Sequence, residues 1–296
     1  MKIKFKLSIV CGLLMMVQMF FTSCAEKTSP PSPQPAADTI GISTSGTLRF
    51  EGVMISVPSP AQVAALIQKQ KIAFKDAYLN SIQNNSRYLN QTKKALNLGV
   101  YGSDLAYLSN YNMGQINNDY FDAIAGLSSD LSILDNIDKK LVTRLSNNLG
   151  NKDSIIVLSA DFYRAGDDYL KANNKPHLSS MILIGGWIES LNITASESSA
   201  HQELRSRLAE QKYAAKNISI LIEKIEDPVF NPIKTEINTL CNLLNELEST
   251  YTYRQPITDH KEKITYLRSL SSVNITDEQL TEIIAQIRKI RNTIIE

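Results

Sequence analysis

Two short segments of this chain bring acids, aromatic rings and glycines close enough together to suggest chemistry. One is Leu98-Gly99-Val100-Tyr101-Gly102-Ser103-Asp104-Leu105-Ala106-Tyr107; the other is Ile184-Gly185-Gly186-Trp187-Ile188-Glu189-Ser190-Leu191. A glycine inside a helix costs about 1 kcal/mol relative to alanine, so each one calls for a packing or functional reason. Two readings follow. In the first, Gly99 and Gly102 of one helix pair admit Gly185 and Gly186 of another; Asp104 then caps its helix or bonds to a tyrosine, and Trp187 fills core. In the second, Asp104 and Glu189 converge beside Tyr101, Tyr107 and Trp187 as a pocket for a polar or cationic ligand, the acids supplying charge and the rings a cation-binding face.

Other chemistry has little to stand on. There is no His-Glu-x-x-His, no Cys-x-x-Cys, no Gly-x-Ser-x-Gly and no phosphate-cradling glycine loop. The three histidines, His177, His201 and His260, lie far apart near expected helix starts or loops, where solvation or capping explains them better than metal ligation. The sequence therefore calls for no catalytic residue, no metal site and no cofactor.

The elements that must carry the two segments read as helices. Ser59-Pro60 is a good start, with a capping hydroxyl and a proline at the first helical position. From there a helix is expected from Pro60 to about Gln83, with Val63, Leu66, Ile67, Phe74, Tyr78 and Ile82 near one side. A second is expected from about Asn85 to Leu98, stopped at Gly99, and a third after Gly102-Ser103. Ile116, Tyr120, Ile124 and Leu127 mark a fourth; Leu141, Leu145 and Leu149 a fifth; residues 153–172 and 176–193 two more. Leu204 to Ile225 forms a long stripe stopped by Asp227-Pro228, and Val229 to Leu247 another at near-heptad spacing. The last helix opens on a Thr276/Gln279 capping box and lines Leu280, Ile283, Ile284, Ile287, Ile290 and Ile294 on one face. Only residues 39–57 read as strand, with Thr47–Glu51 and Val53–Val57 flanking Gly52 as a small hairpin or extended lead-in. The expected fold class is all-α: an irregular multi-helix bundle or array over residues 58–296, preceded by a lead-in over 40–57. No repeat of solenoid length recurs.

The amino-terminal end is read from its three-part pattern. Lys2, Lys4 and Lys6 precede an apolar run from Leu7 to Phe21, long enough for a signal peptide but short of the roughly 20 residues of a membrane span. Phe21-Thr22-Ser23-Cys24 resembles the lipobox of lipoprotein signal peptidase, with Phe21 replacing the usual Leu. It implies cleavage after residue 23, lipidation of Cys24 and membrane attachment through that lipid. Residues 24–39 then form a Pro/Ser-rich tether of about 3 Å per residue. Once Cys11 leaves with the signal and Cys24 carries lipid, only Cys241 remains, so the mature chain can form no internal disulfide. Cys241 sits in an apolar helical pattern and reads as a small core residue. Of the 31 basic and 30 acidic residues, removal of residues 1–23 takes three lysines and no acid, leaving a net charge near −2. Neither this balance nor any basic block favours nucleic acid as a partner.

The lipobox, the proline tether, residues 97–105 and residues 185–191 together resemble a group of helical lipoproteins of Bacteroidota. The likeness spans most of residues 58–296. It implies a compartment and a fold class and supplies no catalytic residues. The same resemblance implies O-glycosylation at Asp-Ser/Thr followed by an aliphatic residue. Thr39 and Ser154 fit that pattern, although Asp153-Ser154 also reads as a helix cap. The expected protein is a non-enzymatic, lipid-anchored envelope protein that binds or scaffolds an envelope protein partner. It would sit on the outer membrane facing the periplasm, with surface exposure as the alternative. Two rival functions stand beside it: a small-ligand receptor built on Asp104, Glu189 and Trp187, and an enzyme for which no nucleophile and base can be assembled.

Overall fold

A computed structural model describes residues 45–50, 53–58, 60–111 and 113–296. The expected signal peptide, Cys24, the tether and Thr39 lie outside the described residues.

The chain is mainly all-α. A short antiparallel hairpin, β1 (Ser45–Phe50) and β2 (Val53–Pro58), pairs Phe50 with Val53 and Ser45 with Pro58. Then come α1 (Pro60–Lys69), α2 (Gln91–Leu108), α3 (Gln115–Asp130), α4 (Lys139–Ser146), α5 (Lys152–Ala172) and α6 (Pro176–Ser198). The carboxy-terminal part holds α7 (Gln202–Ala209), α8 (Lys212–Glu223) and α9 (Asn231–Glu246). It ends with a ribbon of β3 (Ser249–Thr252), β4 (Ile257–Asp259), β5 (Ile264–Tyr266) and β6 (Leu270–Val273), and then α10 (Asp277–Ile295).

The centre of the molecule is the α2–α6 crossing. Helix α6 has no polar face: from Leu178 to Ser198 almost every residue is buried, as befits a helix surrounded on all sides. Its backbone meets that of α2 directly. A Cβ on Gly99 would overlap the Ile182 carbonyl oxygen and come within 2.6 Å of the Gly186 nitrogen, and a Cβ on Gly185 would overlap the Leu96 carbonyl oxygen. Ser103 Oγ donates to the Gly186 carbonyl across the same seam at 2.8 Å. These glycines therefore have a packing reason. Gly102 does not share it: it is exposed, and a Cβ there would meet nothing within 4 Å.

Several boundaries differ from expectation. The expected stop at Gly99 is absent, because the helix gains close contact there and runs through both glycines as α2. The expected helix from Pro60 to Gln83 ends at Lys69. Lys71 adopts a left-handed φ of 56°, and the chain turns to bury Ile72 against Val63, Ile67, Tyr107, Ile193 and Leu204. Residues 75–88 then wrap the core as short 3₁₀ turns at Asp76–Tyr78 and Ile82–Arg87. The long stripe from Leu204 to Ile225 is two helices, α7 and α8. Buried Gln211 stands at their junction and accepts a hydrogen bond from Trp187 Nε1 at 3.0 Å.

The largest departure is the ribbon at 249–273, since strand was expected only over residues 39–57. Ser-Thr-Tyr-Thr, Ile-Thr-Asp, Ile-Thr-Tyr and Leu-Ser-Ser-Val are short runs rich in β-branched, aromatic and polar residues, and they pair as β3 with β6 and β4 with β5. The last helix matches its signature. Gln279 N–H donates to Thr276 Oγ1 at 3.2 Å, and Thr276 N–H donates to Gln279 Oε1 at 3.0 Å. No helix of the described residues is long and apolar enough to cross a membrane.

Candidate functional site

The crossing of α2 and α6 places Asp104 and Glu189 side by side, both fully buried at 0 % exposure. Burial alone would make two carboxylates prohibitively costly, so their partners decide what the site is. Arg291 of α10 supplies a two-pronged bond to Glu189, Nε to Oε2 at 2.7 Å and Nη2 to Oε1 at 2.9 Å. Its Nη2 also donates to the Tyr78 carbonyl at 3.1 Å, and Asn192 hydrogen-bonds the Glu189 carboxylate. On the other side, Asp104 Oδ2 accepts the Asn80 backbone N–H at 3.1 Å. Asp104 Oδ1 finds no donor among the described residues.

That orphan oxygen has a chemical explanation. The two carboxyls lie within hydrogen-bonding reach of each other, and both are pushed upward by burial. At Asp104 the negative charge of Glu189 adds to the push, whereas at Glu189 the guanidinium of Arg291 opposes it. The pair therefore keeps one proton between its members, as like charges in one site cannot both ionise. Asp104, pushed up by burial and by the Glu189 charge, is the member that favours the proton, which leaves the Glu189 charge for Arg291.

Around this core runs a second tier of bonds. The Asn80 carbonyl accepts from Tyr120 Oη at 2.8 Å, Asn80 Nδ2 donates to Tyr88 Oη at 2.9 Å, and Tyr101 Oη donates to the Ser81 carbonyl at 2.9 Å. Asn97 Nδ2 reaches the Ile294 carbonyl at 2.9 Å. The arrangement ties α2, α6, the 76–88 segment and the end of α10 into one clasp. It can hold a proton and a fixed geometry. Nothing in it presents a nucleophile or a donor set to solvent.

A second acid on α6, Glu197, is also largely buried, beneath a half-exposed lysine. Glu197 Oε1 accepts from Lys75 Nζ and from Tyr78 Oη, and its Oε2 lies 3.7 Å from His201 Nδ1. Burial pushes Glu197 upward, but the Lys75 and Tyr78 bonds outweigh it and hold the acid below the usual range. Phe74, Tyr78, Tyr107 and Tyr111 pack beside it, with Tyr107 and Tyr111 centroids 5.0 Å apart.

The residues expected to form one pocket are thus divided. Asp104 and Glu189 meet, but in a sealed clasp; Asp104 neither caps its helix nor bonds to a tyrosine. Tyr101 belongs to the clasp's second tier, while Tyr107 accepts the Lys75 backbone N–H at 3.0 Å in the Glu197 cluster. Trp187 faces Gln211 in a cavity lined with Val63, Ser190, Leu191, Thr194 and Arg207, with room for little more than one water molecule. Asn151, not Asp153-Ser154, caps α5: its Oδ1 accepts the Ser154 N–H at 3.0 Å, which places Ser154 in the first helical turn. Cys241 is buried and free. Among the described residues no group of His, Cys, Asp or Glu could hold a metal ion.

In the sequence Arg291 reads only as a cation suited to the end of its helix dipole, and Asn80, Tyr88 and Asn192 are not singled out. Arg291 had a visible signal: it stands four residues after Ile287 and three before Ile294, on the flank of an otherwise apolar stripe. Asn80, in a segment read as helix, had none. Comparison with protein-family models, curated proteins and solved structures finds no match to this chain.

Proposed function

We propose that this protein is a lipid-anchored envelope protein that works by binding, with a rigid helical body held near a membrane by lipid on Cys24 and engaging an envelope protein partner. The observation that carries this reading is the enclosure of the acid pair. The cluster richest in chemical groups is spent on joining four segments of the fold, with Glu189 at 0 % exposure and the Arg291 side chain at 11 %. Such a clasp favours one fixed shape, which suits a docking body better than a reaction site.

Native mass spectrometry of the protein, gently extracted from its own membrane, tests this. The expected result is an acyl mass on Cys24 and a stoichiometric protein partner. A small adduct lost on both Asp104→Ala and Trp187→Ala, with no protein partner, would overturn it in favour of a ligand receptor.

A further inference from the structure

The ribbon leaves a well-formed apolar face uncovered. In β4–β5, Ile257 pairs with Tyr266 and Asp259 with Ile264, so Ile257, Tyr266 and Ile264 share one face with Asp259, which stands at its end next to the tip. Thr258 and Thr265 occupy the opposite face, their Oγ1 atoms 3.1 Å apart. The apolar three are about half exposed, and at the bend between the two strand pairs Tyr253 and Leu267 are 68 % and 83 % exposed. The ribbon is nonetheless built firmly. Asp259 Oδ1 accepts the Lys261 and Glu262 N–H groups at 2.9 and 3.0 Å, fixing the tip, and Ser269 Oγ accepts the Arg254 N–H at 3.1 Å across the bend.

Charge marks out what this face fits. Residues 249–275 carry Arg254, Lys261, Lys263 and Arg268 against Asp259 and Glu262, a net charge of +2. The rest of the chain after residue 23 carries 24 basic and 28 acidic residues. All four ribbon cations are exposed, and none of them forms an ion pair among the described residues. Exposed tyrosine and aliphatic side chains flanked by cations match the headgroup boundary of an anionic bilayer, where phenols sit half-wet and lysines meet phosphate. Strand addition by a protein suits the ribbon less, since its strands are only three or four residues long. Stacking on the ribbon of a second copy would set like charges together.

We infer that the β3–β6 ribbon docks on an anionic phospholipid surface, laying Ile257, Ile264, Tyr266 and Leu267 into the headgroup boundary with Arg254, Lys261, Lys263 and Arg268 on the phosphates. The inference rests on the membrane-anchored reading above, to which it adds a second contact that orients the domain.

The test uses the full lipidated protein carrying Leu267→Trp, reconstituted in vesicles whose acyl chains are brominated. Trp187 is buried against Gln211 and provides a constant background. With phosphatidylglycerol present, the new tryptophan's emission shifts to the blue and is quenched; in pure phosphatidylcholine both changes are lost. Adding Lys261→Gln and Lys263→Gln lowers the docked-to-undocked ratio about fivefold per lysine while the protein still floats with the vesicles. Flotation without quenching overturns the ribbon inference and leaves the anchor standing. Quenching without an acyl mass on Cys24 does the reverse. Failure to float overturns both, and quenching that appears only with an added acidic protein replaces the lipid with a protein partner.

Discussion

Glu189 and Glu197 lie on the same helix about 12 Å apart along its axis, each beside a cation and each accepting more than one hydrogen bond. Their ionisation nevertheless moves in opposite directions. Glu189 is pushed up by burial, with Arg291 pulling against the push, whereas Glu197 is held down because Lys75 and Tyr78 overcome a weaker desolvation. The difference comes from their surroundings more than from the cation. Asp104 shares the sealed site and adds a second negative charge; Glu197, its side chain 8 % exposed, has no acid against it among the described residues, and its cation Lys75 is about half exposed. The same acid on the same helix is thus a sealed clasp in one place and an ion pair at the edge of the core in the other.

The sharpest way to break this contrast is to remove the interior cation. Arg291→Ala strands the Glu189 charge and frees the Tyr78 carbonyl in a site without water access. Deleting one member of a buried pair costs about 3–5 kcal/mol, a large share of the stability of an ordinary domain. Urea unfolding should show that loss; a midpoint near that of the parent would mean that the clasp is open to solvent.

Asp104→Asn sharpens the contrast by keeping the shape and replacing the shared proton. The carboxamide can donate to Glu189 as the protonated acid does, so stability at low pH should change by no more than about 1 kcal/mol. The pH dependence is the more telling readout. Asp104 ionises at higher pH folded than unfolded, so the folded state binds the extra proton. Its contribution is full below the unfolded value near 3.8 and is lost as pH rises through the folded value. Urea midpoints of the parent should therefore fall across that window relative to those of Asp104→Asn. Parallel curves would refute the shared proton.

Much of this architecture is legible in residue patterns, and the exceptions have physical causes. The capping box at Thr276 and the apolar stripe behind it define α10, because local bonds and periodicity agree there. The glycines of residues 97–105 and 185–191 announce a close crossing, yet Gly99 also looks like a helix stop until the α6 backbone is seen against it. Asp104 and Glu189 could be singled out as unusual acids, but their meaning depends on Arg291, 187 and 102 residues further along the chain. The 60–83 stretch carries helical spacing that tertiary burial of Ile72 overrides at Lys71. The ribbon at 249–273 is made of runs too short for periodicity to separate strand from loop.

The smallest expected effect belongs to the Lys75–Glu197 pair. Lys75→Ala removes the cation from Glu197, whose side chain is 8 % exposed, but leaves Tyr78 Oη donating to the carboxylate and opens the half-exposed place of the lysine to water. The unfolding midpoint should shift less than in Arg291→Ala at low salt, and part of the shift should be lost near 1 M salt, where screening acts over about 3 Å. Glu197 should also lose part of what holds it down, so its titration, followed by carboxyl carbon resonances, moves toward the ordinary glutamate range. In Arg291→Ala the interior pair should also move up, but away from the ordinary carboxylate range, because the remaining influences on it are burial and its own second charge. A larger upward shift at the interior pair than at Glu197 would show that the closed site and its second charge set the roles of the two acids; shifts of equal size would show that the cations alone do.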